Sequence, residues 1–234
     1  MTLFVFDRPP YYVLHDGQPA GGFLLDIALA VFAQAGIPVE VREMPPERIL
    51  ATFAARDVRA CAVGWLRTTE RASYARFSLP LYENKPLGVV VTVEKARTLG
   101  SAPTLDRLLA AGLSWGMRRG FSYGDVFDAA FKKYPGQATR LFSDTRLMVR
   151  LIAKHRLDAT LVAPEELSTY LAEEPELAAG IRFLPITDAP SGFERYLMCD
   201  ASLPQALLDR IDAAIAVVRG SERYRQLTRF QTGR

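Results

Sequence analysis

Arg71 closes the run Thr68-Thr69-Glu70-Arg71, shortly before Phe77-Ser78-Leu79-Pro80. Its planar guanidinium stays charged in any protein setting and offers a two-pronged fork that fits a carboxylate. Arg67, Glu70 and Arg76 stand nearby, so an ordinary solvated helix is the competing reading. Asp7, Tyr11 and Tyr12 follow the first apolar run, Thr2 to Phe6. In an open α/β sheet, ligands bind beyond the carboxyl ends of the strands, which is where these three would stand. Asp7 can accept a hydrogen bond from an amine or hydroxyl, or simply form the turn before Pro9. Gly64 and Trp65 end another short apolar run. An indole there can stack on a flat ligand, or fill the core instead. Gly120-Phe121-Ser122 opens a helical pattern, where free backbone N–H groups suit an anion and a serine equally suits a plain cap. Arg118 and Arg119, just before it, can add positive charge.

Several chemistries find no support. The two histidines, His15 and His155, and the two cysteines, Cys61 and Cys199, show no metal-ligand spacing. No Ser/His/Asp grouping emerges, and His155 between Lys154 and Arg156 reads as a solvated helix end. No catalytic residue, metal or cofactor is therefore expected. Lys and Arg number 29 against 26 Asp and Glu, a net charge of +3. Those charges are spread along the chain, whereas a nucleic-acid binder clusters them. Hydrophobic residues at 49% and charged residues at 24% exclude disorder and coiled coil for the bulk of the chain. No apolar run reaches the ~18 residues of a membrane helix.

Strand and helix patterns alternate along the 234 residues, which suit two small domains. Strands are expected at 2–7, 39–42, 60–64, 87–93, 113–117, 158–163, 181–186 and 195–199. Helices are expected at 23–35, stopped by Gly36, at 47–55, at 104–111, at 123–134 before Pro135-Gly136, at 144–154 and at 204–219. Pro164 fits a first helical turn, where its missing N–H does no harm. The alternation predicts an α/β fold with mostly parallel sheets. Leu50 to Val63 and Val149 to Val162 both read as helix, polar turn and short buried strand, a weak internal echo that fits two similar halves.

Four pieces, in order, resemble the family-three solute-binding proteins of ABC importers, best known as periplasmic amino-acid receptors. The first is Asp7-Arg8-Pro9-Pro10-Tyr11-Tyr12, followed by Asp16-Gly17 and Gly22-Phe23-Leu24-Leu25-Asp26-Ile27-Ala28. The second is Thr68 to Arg71 with Phe77-Ser78-Leu79-Pro80-Leu81-Tyr82. The third is Gly120-Phe121-Ser122, and the fourth Arg156-Leu157-Asp158-Ala159. Ser221-Glu222-Arg223-Tyr224 near the end also matches, so the set spans nearly the whole chain.

The resemblance implies the type II periplasmic-binding fold: two Rossmann-like α/β lobes joined by two crossing strands. Lobe one would hold 1–86 and 190–234, and lobe two 87–189. A ligand would lie in the cleft, with hinge closure over it. Arg71 matches the family's carboxylate-gripping arginine, and Ser122 a hydroxyl at a helix start. Asp7, Tyr11, Tyr12, Gly64, Trp65 and Phe121 complete the expected ligand contacts. Two positions depart from the family. Leu66 stands where a small hydroxyl is usual, and Ala163 where an acid pairs with the ligand ammonium. Neither side chain can do that job, so the ligand is expected to be a carboxylate not held as an ordinary α-amino acid. The implied function is a monomeric, periplasmic receptor, its signal peptide removed, that delivers a small carboxylate-bearing solute to the membrane permease of an ABC importer. The alternatives are a cyclohexadienyl or arogenate dehydratase on the same fold, with Glu83, Glu165 or Glu166 as the acid, and the sensory input domain of a signalling protein. Cys61 and Cys199 are expected to be buried and reduced, because a disulfide tolerates so narrow a geometry.

Overall fold

A computed structural model describes residues 1–55, 58–134, 139–142 and 144–229. The expected helix stop at Pro135-Gly136, and Arg56-Asp57 within the internal echo, lie outside the described residues. The chain divides into two compact units, 1–84 with 194–234, and 85–193.

The first unit begins with β1 (Thr2–Val5), β2 (Val13–His15), β3 (Gln18–Gly21), α1 (Phe23–Gln34), β4 (Glu40–Glu43), α2 (Pro46–Ala54), β5 (Ala60–Trp65), α3 (Thr69–Ala72), β6 (Ala75–Phe77) and β7 (Tyr82–Asn84). The second unit holds β8 (Gly88–Thr92), α4 (Val93–Leu99), α5 (Leu105–Ala110), β9 (Trp115–Arg118), α6 (Asp125–Lys133), β10 (Thr139–Phe142), α7 (Thr145–Ala153), β11 (Ala159–Val162), α8 (Pro164–Glu173), α9 (Leu177–Gly180) and β12 (Ile181–Pro185). The chain then returns to the first unit with β13 (Phe193–Asp200), α10 (Gln205–Arg219) and α11 (Glu222–Thr228).

The first unit's sheet runs β4-β1-β5-β13-β6, with β7 also pairing β13. β1 is parallel to β4 and β5, so the carboxyl ends of β1 and β5 lie side by side. The returning β13 is antiparallel to β5. α1 buries Leu24, Ile27, Ala28, Val31 and Phe32 and packs against α10 and α11. Each such fully buried large apolar side chain contributes about 1.5–3 kcal/mol. α1 starts at Gly22 with no side-chain cap. Its free N–H groups go to backbone instead: Phe23 donates to Pro10 O, and Leu24 and Leu25 both donate to Tyr11 O. A helix start needs such partners. Gly22 permits the close approach, since a Cβ there would stand 2.5 Å from Tyr11 O.

The second unit's sheet runs β10-β9-β11-β8-β12. Val89 and Val91 face one apolar cluster with Trp115, Phe127 and Leu161, while Val90 faces another with Met148, Ile152 and Val162. Both faces are covered, which explains an unbroken apolar run rather than an alternating one. That run was expected to stay extended to Val93. It stops earlier because the Thr92 hydroxyl accepts from Lys95 N at 3.2 Å and caps α4. Thr104 and Asp144 cap α5 and α7, each just before the first helical residue. Pro164 does stand at the first position of α8.

The cysteine expectation is overturned. Cys61 and Cys199 are buried, but they are joined in a disulfide with Cα atoms 4.0 Å apart. The physical reason is register: antiparallel β13 sets Cys199 directly opposite Cys61.

Candidate functional site

In the first unit, the site grows from the carboxyl ends of β1 and β5. The segment after β1 folds back at once: Arg8 N donates to Tyr12 O, and Tyr11 N and Tyr12 N donate to Arg8 O. The Pro9-Pro10 peptide bond inside it is cis. Asp7 is exposed, and one carboxylate oxygen accepts from Leu14 N at 3.0 Å, the role of a turn-former. Tyr11 and Tyr12 are almost fully buried. The Tyr12 hydroxyl donates to Val63 O at 2.8 Å. Its oxygen fills the space over Gly64, whose φ is +76° and whose added Cβ would lie 1.8 Å from that oxygen. Tyr12 therefore bolts the end of β5 to the turn after β1.

Gly64→Ala is expected to destabilise the protein by about 3 kcal/mol or more, since positive φ and a displaced buried tyrosine add together. Thermal unfolding measures this, and an unchanged midpoint would remove the bolt.

Trp65 is the last residue of β5, buried, with Phe6 edge-on at 6.2 Å between centroids. The Arg71 guanidinium lies 4.8 Å from the centre of its ring. Arg71 belongs to the short helix α3, capped by Thr68, whose hydroxyl accepts from Arg71 N. Arg71 Nη1 donates to Leu66 O at 3.2 Å. Only 7% of Arg71 is exposed, so the surface-helix reading of this arginine fails. Burial pushes the neighbouring Tyr74 phenol up, and the Arg71 charge opposes that push. One ring and one backbone carbonyl thus hold the cationic fork, while the Thr68 cap fixes its backbone. A guanidinium stacked on an indole keeps in-plane N–H groups for a planar anion.

In the second unit, Arg118 ends β9, is buried, and lies 4.4 Å from the centre of the Phe121 ring. Its backbone N–H donates to the Tyr123 hydroxyl at 2.9 Å. Ser122 was expected at a helix start; α6 instead begins at Asp125 after Gly124. The reason is Asp128, which accepts from the Ser122 hydroxyl at 2.5 Å and from Tyr123 N at 2.9 Å. Ser122 Oγ also accepts from Gly124 N at 3.1 Å, so its main task is to lock this loop. Gly124 has φ +89°, and a Cβ there would meet the Phe193 ring at 2.3 Å.

Ala163 is the buried residue just before α8 and carries no cap. Glu165 and Glu166, in the first turn of α8, are both buried, and Glu166 accepts from the Tyr170 hydroxyl at 3.4 Å. Carboxylates are favoured at a helix start. Glu83 is exposed. Sequence reasoning passed over Arg8 and the burial of both glutamates. The signal for Arg8 was present: an arginine set against Tyr11-Tyr12 by a proline pair. Its guanidinium lies 4.6 Å from the centre of the Tyr11 ring, and 7% of Arg8 is exposed. Among the described residues, no group of three or more His, Cys, Asp and Glu is placed to hold a metal, and no helix is long and apolar enough to cross a membrane.

The family described as bacterial extracellular solute-binding proteins, family 3, matches residues 4–230. No curated protein matches the chain. Among solved structures, an ancestral arginine-binding protein bound to arginine aligns at 20% identity, with a TM-score of 0.78, over 99% of this chain and 97% of that one. The arginine-, lysine-, histidine-binding protein ArtJ from the thermophilic bacterium Geobacillus stearothermophilus aligns at 18% identity, with a TM-score of 0.79, over 100% and 94%. A histidine kinase sensor domain with similarity to periplasmic binding proteins aligns at 18% identity, with a TM-score of 0.79, over 99% and 95%. At these identities the likeness shows the fold, the type II periplasmic-binding architecture.

Proposed function

The chain belongs to family 3 of the bacterial extracellular solute-binding proteins, and from that premise we propose that it is a receptor for a small carboxylate-bearing solute. In this reading it works outside the cytoplasm as a monomer and hands its solute to the membrane permease of an ABC importer. The observation that carries the carboxylate is Arg71: a buried guanidinium, aimed by Leu66 O and the Trp65 ring, at the carboxyl end of the sheet. A desolvated fork of this kind suits a planar anion. Asp7, Tyr11, Tyr12, Gly64 and Trp65 shape that end of the first unit. Phe121 and Ser122 stand in the corresponding loop of the second, as rigid surface more than as donors. The Cys61–Cys199 bond supports an oxidising compartment.

A buried ammonium needs an anionic or carbonyl partner. Apolar Leu66 and Ala163 stand where the family usually places the groups that serve an α-amino acid, so the amine is secondary here. The kinase sensor domain with a TM-score of 0.79 favours a second reading, a sensory input domain that captures the same class of solute. The genes beside this one, permease or kinase, separate the two. Against the dehydratase reading, no product would form from prephenate.

A thermal-shift screen over L-amino acids, the matched carboxylates lacking the amine, and polyamines tests the proposal. Carboxylates should raise the midpoint with or without the amine, since ligand at a hundred times its dissociation constant adds about 2.7 kcal/mol. Stabilisation by polyamines alone, or by amino acids only while they keep the amine, would overturn it.

A further inference from the structure

The Trp65 ring holds a polar group that the first unit leaves unused. Its Nε1 is shut away from solvent, and no acceptor among the described residues stands within hydrogen-bond distance of it. The whole residue is only 5% exposed. The carbonyls that flank it in the chain serve other donors: Val63 O takes the Tyr12 hydroxyl, and Leu66 O takes Arg71 Nη1. On the paired strand Tyr196 stands opposite Trp65, and its hydroxyl donates to Glu194. An indole N–H donates and never accepts. Buried donors are nearly always met, because an unmet one keeps its full desolvation cost, so this one needs an explanation.

Its place in the fold supplies one. Trp115 Nε1 is a second buried indole N–H without an acceptor. Trp115, however, opens β9 inside an apolar cluster with Leu108, Phe127 and Leu161, at the amino end of its strand. Trp65 ends β5, at the carboxyl end where an α/β sheet takes its ligand. Arg71 Cζ lies over its ring, 4.8 Å from the centre, so Nε1 is within a ring's width of the guanidinium. That contact also takes ring face on which a flat solute was expected to stack. The ring still has its edge to offer, and the N–H is on the edge.

We propose that Trp65 contacts the solute through this edge, its Nε1–H donating to the same carboxylate that Arg71 grips. This rests on the carboxylate reading above and deepens it. Both groups only donate, and both turn positive charge toward their acceptor. Together they repel an ammonium and suit one acceptor-only group with two oxygens. A primary amide of the same size offers one acceptor oxygen where the carboxylate offers two, and its NH2 faces a donor. The indole is already fixed by its packing, so the solute spends nothing on ordering it.

Titration calorimetry with butyrate, 4-methylvalerate and 3-phenylpropionate, each beside its primary amide, tests this on the wild type, Trp65→Phe and Trp115→Phe. Phenylalanine keeps an aromatic face for Arg71 and removes the N–H. In Trp65→Phe the best of these acids should bind roughly tenfold more weakly, the usual size of a lost hydrogen bond to a charge, while its amide changes by less than about threefold. Trp115→Phe should change neither. The isotope-labelled wild type gives a second readout, because its two tryptophans give two indole N–H resonances. The acid should move the Trp65 resonance, the one retained in Trp115→Phe, downfield and slow its exchange with solvent, leaving the other in place. An acid that binds while that resonance keeps its shift and exchange rate would overturn the N–H contact and leave the carboxylate reading standing. Equal weakening of acid and amide in Trp65→Phe would reduce Trp65 to packing and overturn the inference as well. Binding of none of the three acids by the wild type would count against the carboxylate reading and this inference together.

Discussion

Arg71→Ala is expected to weaken binding of a carboxylate ligand roughly thirty-fold or more, about 2 kcal/mol at the least, while the protein stays folded. The effect is large because Arg71 is buried, with only 7% of the residue exposed, and its guanidinium is already held in place. Its Nη1 is fixed on Leu66 O, and its Cζ lies 4.8 Å from the centre of the Trp65 ring. A ligand carboxylate that loses this fork keeps its desolvation cost and loses its partner. Arg71→Lys restores charge without the fork, so it should recover only part of the loss. The fold should survive. Thr68 caps α3 through the Arg71 backbone N, which alanine retains. Calorimetric titration and circular dichroism on both variants decide the matter. Affinity within threefold of wild type in a folded Arg71→Ala would remove Arg71 from the site.

Much of this arrangement could be read from residue types. Periodicity revealed α1, β5, β8 and α10, because each buries a continuous or regularly spaced apolar set. Capping chemistry revealed the starts at Thr104 and Asp144. Short elements escaped, among them the β2–β3 hairpin, α3, β6 and β7, since three or four residues leave no period to detect. Ser122 misled because a serine after glycine looks like a cap, whereas Asp128 captures its hydroxyl from within α6. Arg8 escaped because its burial depends on Tyr11 curling back beneath it, a tertiary event. Trp65 could be placed at the end of β5, but nothing in the chain tells that its face would meet Arg71 rather than a ligand. The resemblance supplied what spacing could not, the expectation that Arg71 and Ser122 each serve a ligand. The disulfide lay out of reach for a different reason. Which strand neighbours β5, and in which register, is fixed by pairings between residues 138 apart in sequence.

That separation makes the Cys61–Cys199 bond the covalent tie with the largest expected effect on stability. The bond closes the chain over a span of 138 residues, so the second unit and its entry and exit strands lie within one covalent loop. Chain-entropy arguments give about 4–5 kcal/mol for a loop of this size, with measured bonds more often at 2–4 kcal/mol. In the native sheet the bond joins residues that antiparallel pairing already sets face to face, so the tie acts mainly by shrinking the unfolded ensemble. The consequence reaches the site. β13 is held beside β5, and β5 carries Gly64 and Trp65 at its far end. Losing the tie should therefore lower stability far more than affinity. The double variant Cys61→Ala and Cys199→Ala is expected to melt about 10 °C lower, at roughly 2–4 °C per kcal/mol for a chain of this length. The wild type under a strong reductant should shift in the same direction, which separates the lost bond from the small cavities that alanine leaves. Alkylation of the unfolded chain, with and without prior reduction, followed by intact mass, reports whether the bond was present. Free thiols without reduction, or a midpoint that stays within about 1 °C in both the double variant and the reduced wild type, would show that the pairing of β13 with β5 needs no covalent tie.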